Sequence, residues 1–141
     1  MKKLRKKSSS QKSGPKINLI FLCPVKNLRA KNLKKFLLLA ANQLGLTGKF
    51  NFVFCNSNLA RELNSKFRKM NYEPDVLTFD YLEQNEADII LNIQFLNENP
   101  TEIATKLAVH GLIHVAGLDH EVPKQRKAFF NLERKILNYL H

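Results

Sequence analysis

Three of the four histidines in this 141-residue chain fall in one short stretch, His110-Gly111-Leu112-Ile113-His114-Val115-Ala116-Gly117-Leu118-Asp119-His120. On an α-helix, residues four apart lie above one another on one face, so His110 and His114 can aim ring nitrogens at a common point. A third imidazole must return to that point from beyond the helix end. Gly117, three residues past His114, supplies the left-handed cap that such a reversal needs, and His120 follows it. Asp119 either orients an imidazole by accepting its second N–H or caps the next helix.

Three neutral imidazoles without a thiolate make a metal site of catalytic type. Structural zinc is usually closed in by four protein ligands, whereas three leave one tetrahedral position for water. The pKa of that water falls to about 7, so hydroxide is available at neutral pH. The expected cofactor is one Zn2+ per chain on His110, His114 and His120, although three imidazoles also accept nickel, copper or cobalt. One histidine on an apolar helix is more often a core residue than a ligand. Three around a glycine, in a chain with only one other histidine, point to a metal. The spacing matches the H-E-x-x-H-x-x-G-x-x-H pattern of metzincin proteases except at Gly111, where those enzymes carry the general-base glutamate. Peptide hydrolysis is therefore disfavoured.

The same run resembles the H-G-x-L-H-L-x-G-[YH]-D-H signature of the YbeY family, bacterial metal-dependent endoribonucleases of rRNA maturation. Ile113, Val115 and Leu118 depart from it at non-ligand positions. Leu63-Asn64-Ser65-Lys66-Phe67-Arg68 is similar to the family's L-N-x-x-[YF]-R. Pro74-Asp75-Val76-Leu77-Thr78-Phe79 is similar to T-D-V-L-S-F-P, with Pro74 for threonine, Thr78 for serine and Asp80 for proline. Ala87-Asp88-Ile89-Ile90 resembles G-D-I-x-I with alanine for glycine, and the likeness covers roughly residues 17 to 140.

The resemblance implies a single-strand-specific endoribonuclease acting in rRNA maturation at the 3′ end of the small-subunit rRNA, and in ribosome assembly and quality control. The partners it implies are single-stranded rRNA, the small ribosomal subunit and assembly factors. It also gives Arg68 a catalytic role. A planar guanidinium can grip two non-bridging phosphate oxygens as charge builds on them. Taken without the resemblance, Arg68 reads first as one more solvated cation on a basic helix with Arg61, Lys66 and Lys69. A second reading is an RNA- and ribosome-binding assembly factor in which the metal is mainly structural.

Hydrophobic periodicity supplies the elements that must hold these residues. Ile17 to Cys23 reads as a buried strand, Lys31 to Leu44 as an amphipathic helix ended by Gly45, and Phe50 to Cys55 as a second strand. Asn58 to Lys69 is a helix that roughly aligns Arg61, Asn64 and Arg68. Asp75 to Phe79 and Ala87 to Phe95 are two strands joined by a polar loop. Thr101, after Pro100, is the expected N-cap of the histidine helix, which runs to about Ala116; Lys124 to Leu140 is a last amphipathic helix. The order β-α-β-α-β-β-α-α predicts an α+β fold, a single compact domain with a four-stranded mixed sheet and about four helices, the metal site on a buried helix. Ile103, Leu107, Leu112, Ile113 and Val115 are its core candidates. The Asp75 and Thr78 loop could line the cleft, with Asp75 either a turn residue or a proton acceptor.

Composition agrees. A hydrophobic fraction of 44% in a chain of this length supports one core. No apolar run is long enough for a transmembrane helix, so no membrane association is expected, and sparse cysteine (Cys23 and Cys55, both expected as buried free thiols) fits a cytoplasmic location. The formal net charge is +11, of which residues 1–16 supply seven, leaving +4 for residues 17–141. That first segment cannot bury a core and is expected to be a disordered basic tail, which either adds sequence-independent affinity for rRNA or is simply solvated. His141 is expected to be solvated. Oligomeric state cannot be read from these residues.

Overall fold

A computed structural model describes residues 14–139. The expected tail, apart from Gly14 to Lys16, lies outside the described residues, as does His141. Parallel strands need long crossovers, and here helices supply them. The chain runs β1 (Lys16–Phe21), α1 (Ala30–Gln43), β2 (Lys49–Cys55), α2 (Ser57–Arg68), β3 (Val76–Tyr81), β4 (Glu86–Asn92), α3 (Pro100–Val115) and α4 (Pro123–Tyr139). In the sheet the order is β1-β2-β4-β3. β2 pairs in parallel with both β1 and β4, and β3 returns antiparallel along β4. The β3–β4 hairpin turns through the one-turn 3-10 helix Leu82–Gln84 and Asn85, which adopts a left-handed backbone at φ 52. The fold is the mixed four-stranded α+β domain expected from the element order.

Alternation along β2 divides the sheet into two faces. Phe50, Phe52 and Phe54 are fully buried on one, with Ala87, Ile89 and Leu91 of β4, against Leu33 and Leu37 of α1 and Ala104, Ala108 and Leu112 of α3. Burying each such phenylalanine contributes roughly 1.5–3 kcal/mol. The opposite face carries a smaller cluster, Cys55, Ala60, Leu77 and Ile90, under α2. Burial pushes the Cys55 thiol up to about 11, with Cys23 nearby reinforcing the shift, so Cys55 stays protonated. Both thiols are free, but Cys23 is only half-buried, because the chain has left the sheet by then: β1 ends at Phe21.

Two further boundaries differ from expectation. β4 stops at Asn92, whose side-chain oxygen accepts from the Gln94 N–H and starts the 3-10 turn Ile93–Phe95. At the head of α3 the capping position is Asn99, not Thr101, since Pro100 has the fixed φ and missing N–H suited to the first helical position. The Thr101 hydroxyl instead accepts from the Arg29 N–H at 2.9 Å and so ties α3 to the start of α1.

α3 is apolar nearly all round and packs against α1, α4, β3 and β4. Leu112, Ile113 and Val115 are buried as expected, Ile103 and Leu107 only partly, and the small residues Ala104, Ala108 and Gly111 face the sheet side of the packing. Gly111 is where the approach is tightest. A Cβ there would lie 2.8 Å from Ile89 Cγ2 and 3.1 Å from Thr78 Oγ1. The glutamate of the protease pattern has no room at this position. Gly111→Ala is expected to lower stability by a net 1–2 kcal/mol or roughly so, despite the better helix propensity of alanine, and Gly111→Glu to prevent folding. Urea unfolding midpoints check this; a higher midpoint for Gly111→Ala would show that the helix–sheet contact yields freely.

Candidate metal centre and cleft

His110 and His114 leave α3 on its single incompletely buried edge, one turn apart. Their Nε2 atoms are 3.3 Å apart. That separation equals the edge of a tetrahedron with metal–nitrogen bonds of about 2.0–2.1 Å. Beyond Val115 the helix closes with two reversed hydrogen bonds, Gly117 N–H to the His114 carbonyl at 3.0 Å and Leu118 N–H to the Ile113 carbonyl at 3.4 Å. Gly117 takes φ 105, a left-handed conformation that costs glycine little, and the chain doubles back. His120 thereby reaches the other two, its ring centroid 5.0 Å from His110 and 5.1 Å from His114. One nitrogen of each imidazole lies within 4.8 Å of the others, and this group could hold a metal ion. Among the described residues no fourth His, Cys, Asp or Glu atom joins it.

Two residues of α4 complete the arrangement, and neither has a local spacing signal. Phe129 is fully buried and contacts all three imidazoles, with centroids 4.8, 4.9 and 5.1 Å away. It forms an apolar floor that limits the rotamers of the histidines. Glu133 Oε2 accepts from His110 Nδ1 at 3.0 Å. A carboxylate at Nδ1 requires that nitrogen to carry the proton, which leaves the Nε2 lone pair aimed into the site.

Asp119 has neither of the two roles its position suggested. Its Oδ1 accepts from the Glu121 N–H at 2.9 Å, and its own N–H donates to Gln125 Oε1 at 2.8 Å. With the His120 carbonyl accepting from Arg126 Nε at 3.0 Å, these bonds pin the corner that presents His120. The short polar side chain is spent on its own backbone, as Asp often is in tight turns.

The histidines open into a cleft of about 510 Å³. Arg68, the last residue of α2, lies on its wall with Asp75 and Thr78, so the structure brings together every site residue singled out from the sequence. Arg68 is exposed, whereas Asn64, one turn earlier, is fully buried and donates from Nδ2 to the Tyr72 carbonyl at 3.1 Å. Asp75 serves as a turn residue: Oδ1 accepts from the Val76 N–H at 2.8 Å and its carbonyl from the Asn92 N–H at 3.0 Å. Buried Asn92 also donates to the Pro74 carbonyl at 3.1 Å, fastening this wall to β4.

The family model described as Endoribonuclease YbeY matches residues 24–141. The chain belongs to the YbeY family. Curated proteins named Endoribonuclease YbeY are similar to it: one from Polynucleobacter asymbioticus is 34% identical over 105 residues, covering 67% of this chain and 68% of that protein. One from Thermosipho melanesiensis is 29% identical over 119 residues, covering 78% and 86%. The match to the Spiroplasma citri protein, also 34% identical, spans 56% of this chain but only 62% of that protein. Among solved structures, the solution structure of TM1509 from Thermotoga maritima superposes with a TM-score of 0.61 at 25% identity, covering 88% of each chain. The matched range contains all three histidines, Arg68 and Glu133.

Removing Glu133 tests the geometry without recourse to catalysis. Glu133→Ala is expected to weaken zinc binding about 10–100-fold in a competition titration with a chromophoric chelator, and Glu133→Gln, whose amide oxygen can still accept from Nδ1, to weaken it less. Wild-type affinity in Glu133→Ala would show that the Glu133–His110 contact does not prepare the ligand.

Proposed function

We propose that this chain is a single-strand-specific endoribonuclease acting in rRNA maturation, at the 3′ end of the small-subunit rRNA, and in ribosome assembly and quality control. The observation that carries it is the junction, in one cleft, of a three-histidine cluster with an exposed arginine. Family membership and the relatives' name, Endoribonuclease YbeY, support the same reading. In this reading His110, His114 and His120 hold one Zn2+, whose chemistry when bound is Lewis-acid activation of a water for attack on phosphorus.

The residues of the chain do the remainder. Glu133 and Phe129 hold the imidazoles in place, and Arg68 grips two non-bridging oxygens of the scissile phosphate as negative charge builds on them. The partners are then single-stranded rRNA, the small ribosomal subunit and its assembly factors, in the cytoplasm, and the basic segment 1–16 adds counterion-release affinity. No helix among the described residues is long and apolar enough to cross a membrane.

A second reading, an RNA- and ribosome-binding assembly factor with a mainly structural metal, draws on Gly111: the glutamate that serves as base in the protease pattern is replaced by a packing glycine. Protein stripped and reloaded with zinc separates the two. Arg68→Ala is expected to fold, to keep one zinc per chain by elemental analysis, and to cleave single-stranded RNA about 10²–10³-fold more slowly. Arg68→Lys, which keeps the charge but loses the fork, should fall well below wild type. Undiminished cleavage by Arg68→Ala would remove that residue from the reaction. A reloaded wild type that gains stability but cleaves nothing would favour the second reading.

A further inference from the structure

We propose that the cleft beside the histidines receives an unpaired nucleobase of the RNA, stacked against Tyr72 and Phe95. The proposal rests on the nuclease reading above and adds to it the part of the substrate that enters the cleft.

Tyr72 is 48% exposed and Phe95 38% exposed, and both line the cleft, as Arg68 does. Large aromatic rings left open on a concave surface mark a place that a ligand covers. Their backbones are fixed from beneath by buried amides. Asn64 holds the Tyr72 carbonyl, and Asn92 caps the 3-10 turn that ends in Phe95. The rings are thus presented on rigid supports, which reduces the ordering cost of binding.

Charge on the wall points the same way. Arg68 is the only Lys or Arg among the described residues that line the cleft, whereas Glu73, Asp75, Asp119 and Glu121 all do. A groove that follows a phosphate backbone needs a row of cations. Apart from the ion that the nuclease reading places on the histidines, this one offers a single cationic side chain, so the polymer meets the cleft at the one phosphate between them and something uncharged fills the rest. A base has a π-face for the two rings and N–H groups for the carboxylates. A paired base cannot be splayed into the cleft without breaking the duplex, so the same contact selects single strands.

The test is fluorescence-anisotropy binding of a labelled single-stranded RNA oligonucleotide, and of the same RNA with abasic nucleotides, to zinc-loaded protein, with cleavage of both followed in parallel. Tyr72→Ala and Phe95→Ala are each expected to weaken binding of the base-bearing RNA about 10-fold and of the abasic RNA by no more than about twofold. Phe95→Tyr, which keeps a ring, should restore the preference. Thermal melts of these surface variants confirm that they fold. Equal losses on both RNAs, or no loss on either, would overturn the base site. If the wild type prefers bases yet cleaves nothing, the nuclease reading fails while the site stands; if it cleaves both RNAs alike and binds them alike, the site fails and the nuclease reading stands.

Discussion

The closeness of α3 to the sheet governs this molecule. Because Gly111 has no side chain, the helix lies directly on Ile89 of β4 and Thr78 of β3. That contact sets the height of His110, next to Gly111 in sequence, above the sheet edge. β3 supplies the cleft wall at Thr78, and the histidines and that wall are therefore positioned by one packing contact. A bulkier residue would lift the helix and move the histidines away from the wall. The residue that removes the protease base is also the one that lets this site be built.

A second constraint is that the three imidazoles come from two backbones of different kinds. His110 and His114 inherit their relative position from helical pitch alone. His120 depends on a left-handed glycine, two reversed hydrogen bonds and an Asx turn made by Asp119. The turn costs conformational entropy that the helix does not, and α4 offsets it through Arg126 and Gln125, which reach back to the corner.

How much of this could be read from the residues follows the range of each interaction. The strand and helix order, the mixed sheet and the three histidines all have local signatures, periods of two or 3.6 and a fixed spacing, and the structure agrees with them to within a few residues at most ends. Thr101 misled because a threonine after a proline resembles a cap, while its hydroxyl is taken by Arg29, distant in sequence. Glu133, Phe129 and Asn92 carried no signal because their partners are brought to them only by the tertiary fold. Glu133 stands on an amphipathic helix among other charges, and nothing in its neighbourhood distinguishes it from a solvated residue. Arg68 needed the family pattern to stand out from Arg61 and Lys66. The charge of the cleft wall was also hidden, since net charge says nothing of where charges face.

Phe129 touches all three imidazoles from α4, and Glu133 holds His110 from the next turn of that helix. An ion on the histidines would therefore stabilise the docked position of α4 as well as the three imidazoles, by thermodynamic linkage. The amides of α4 would then exchange with solvent through an opening whose free energy depends on the concentration of free metal. Metal supply would in this way be written into the local unfolding of α4, a helix that contributes none of the three imidazoles, and α4 would become a reporter of whether the centre is filled.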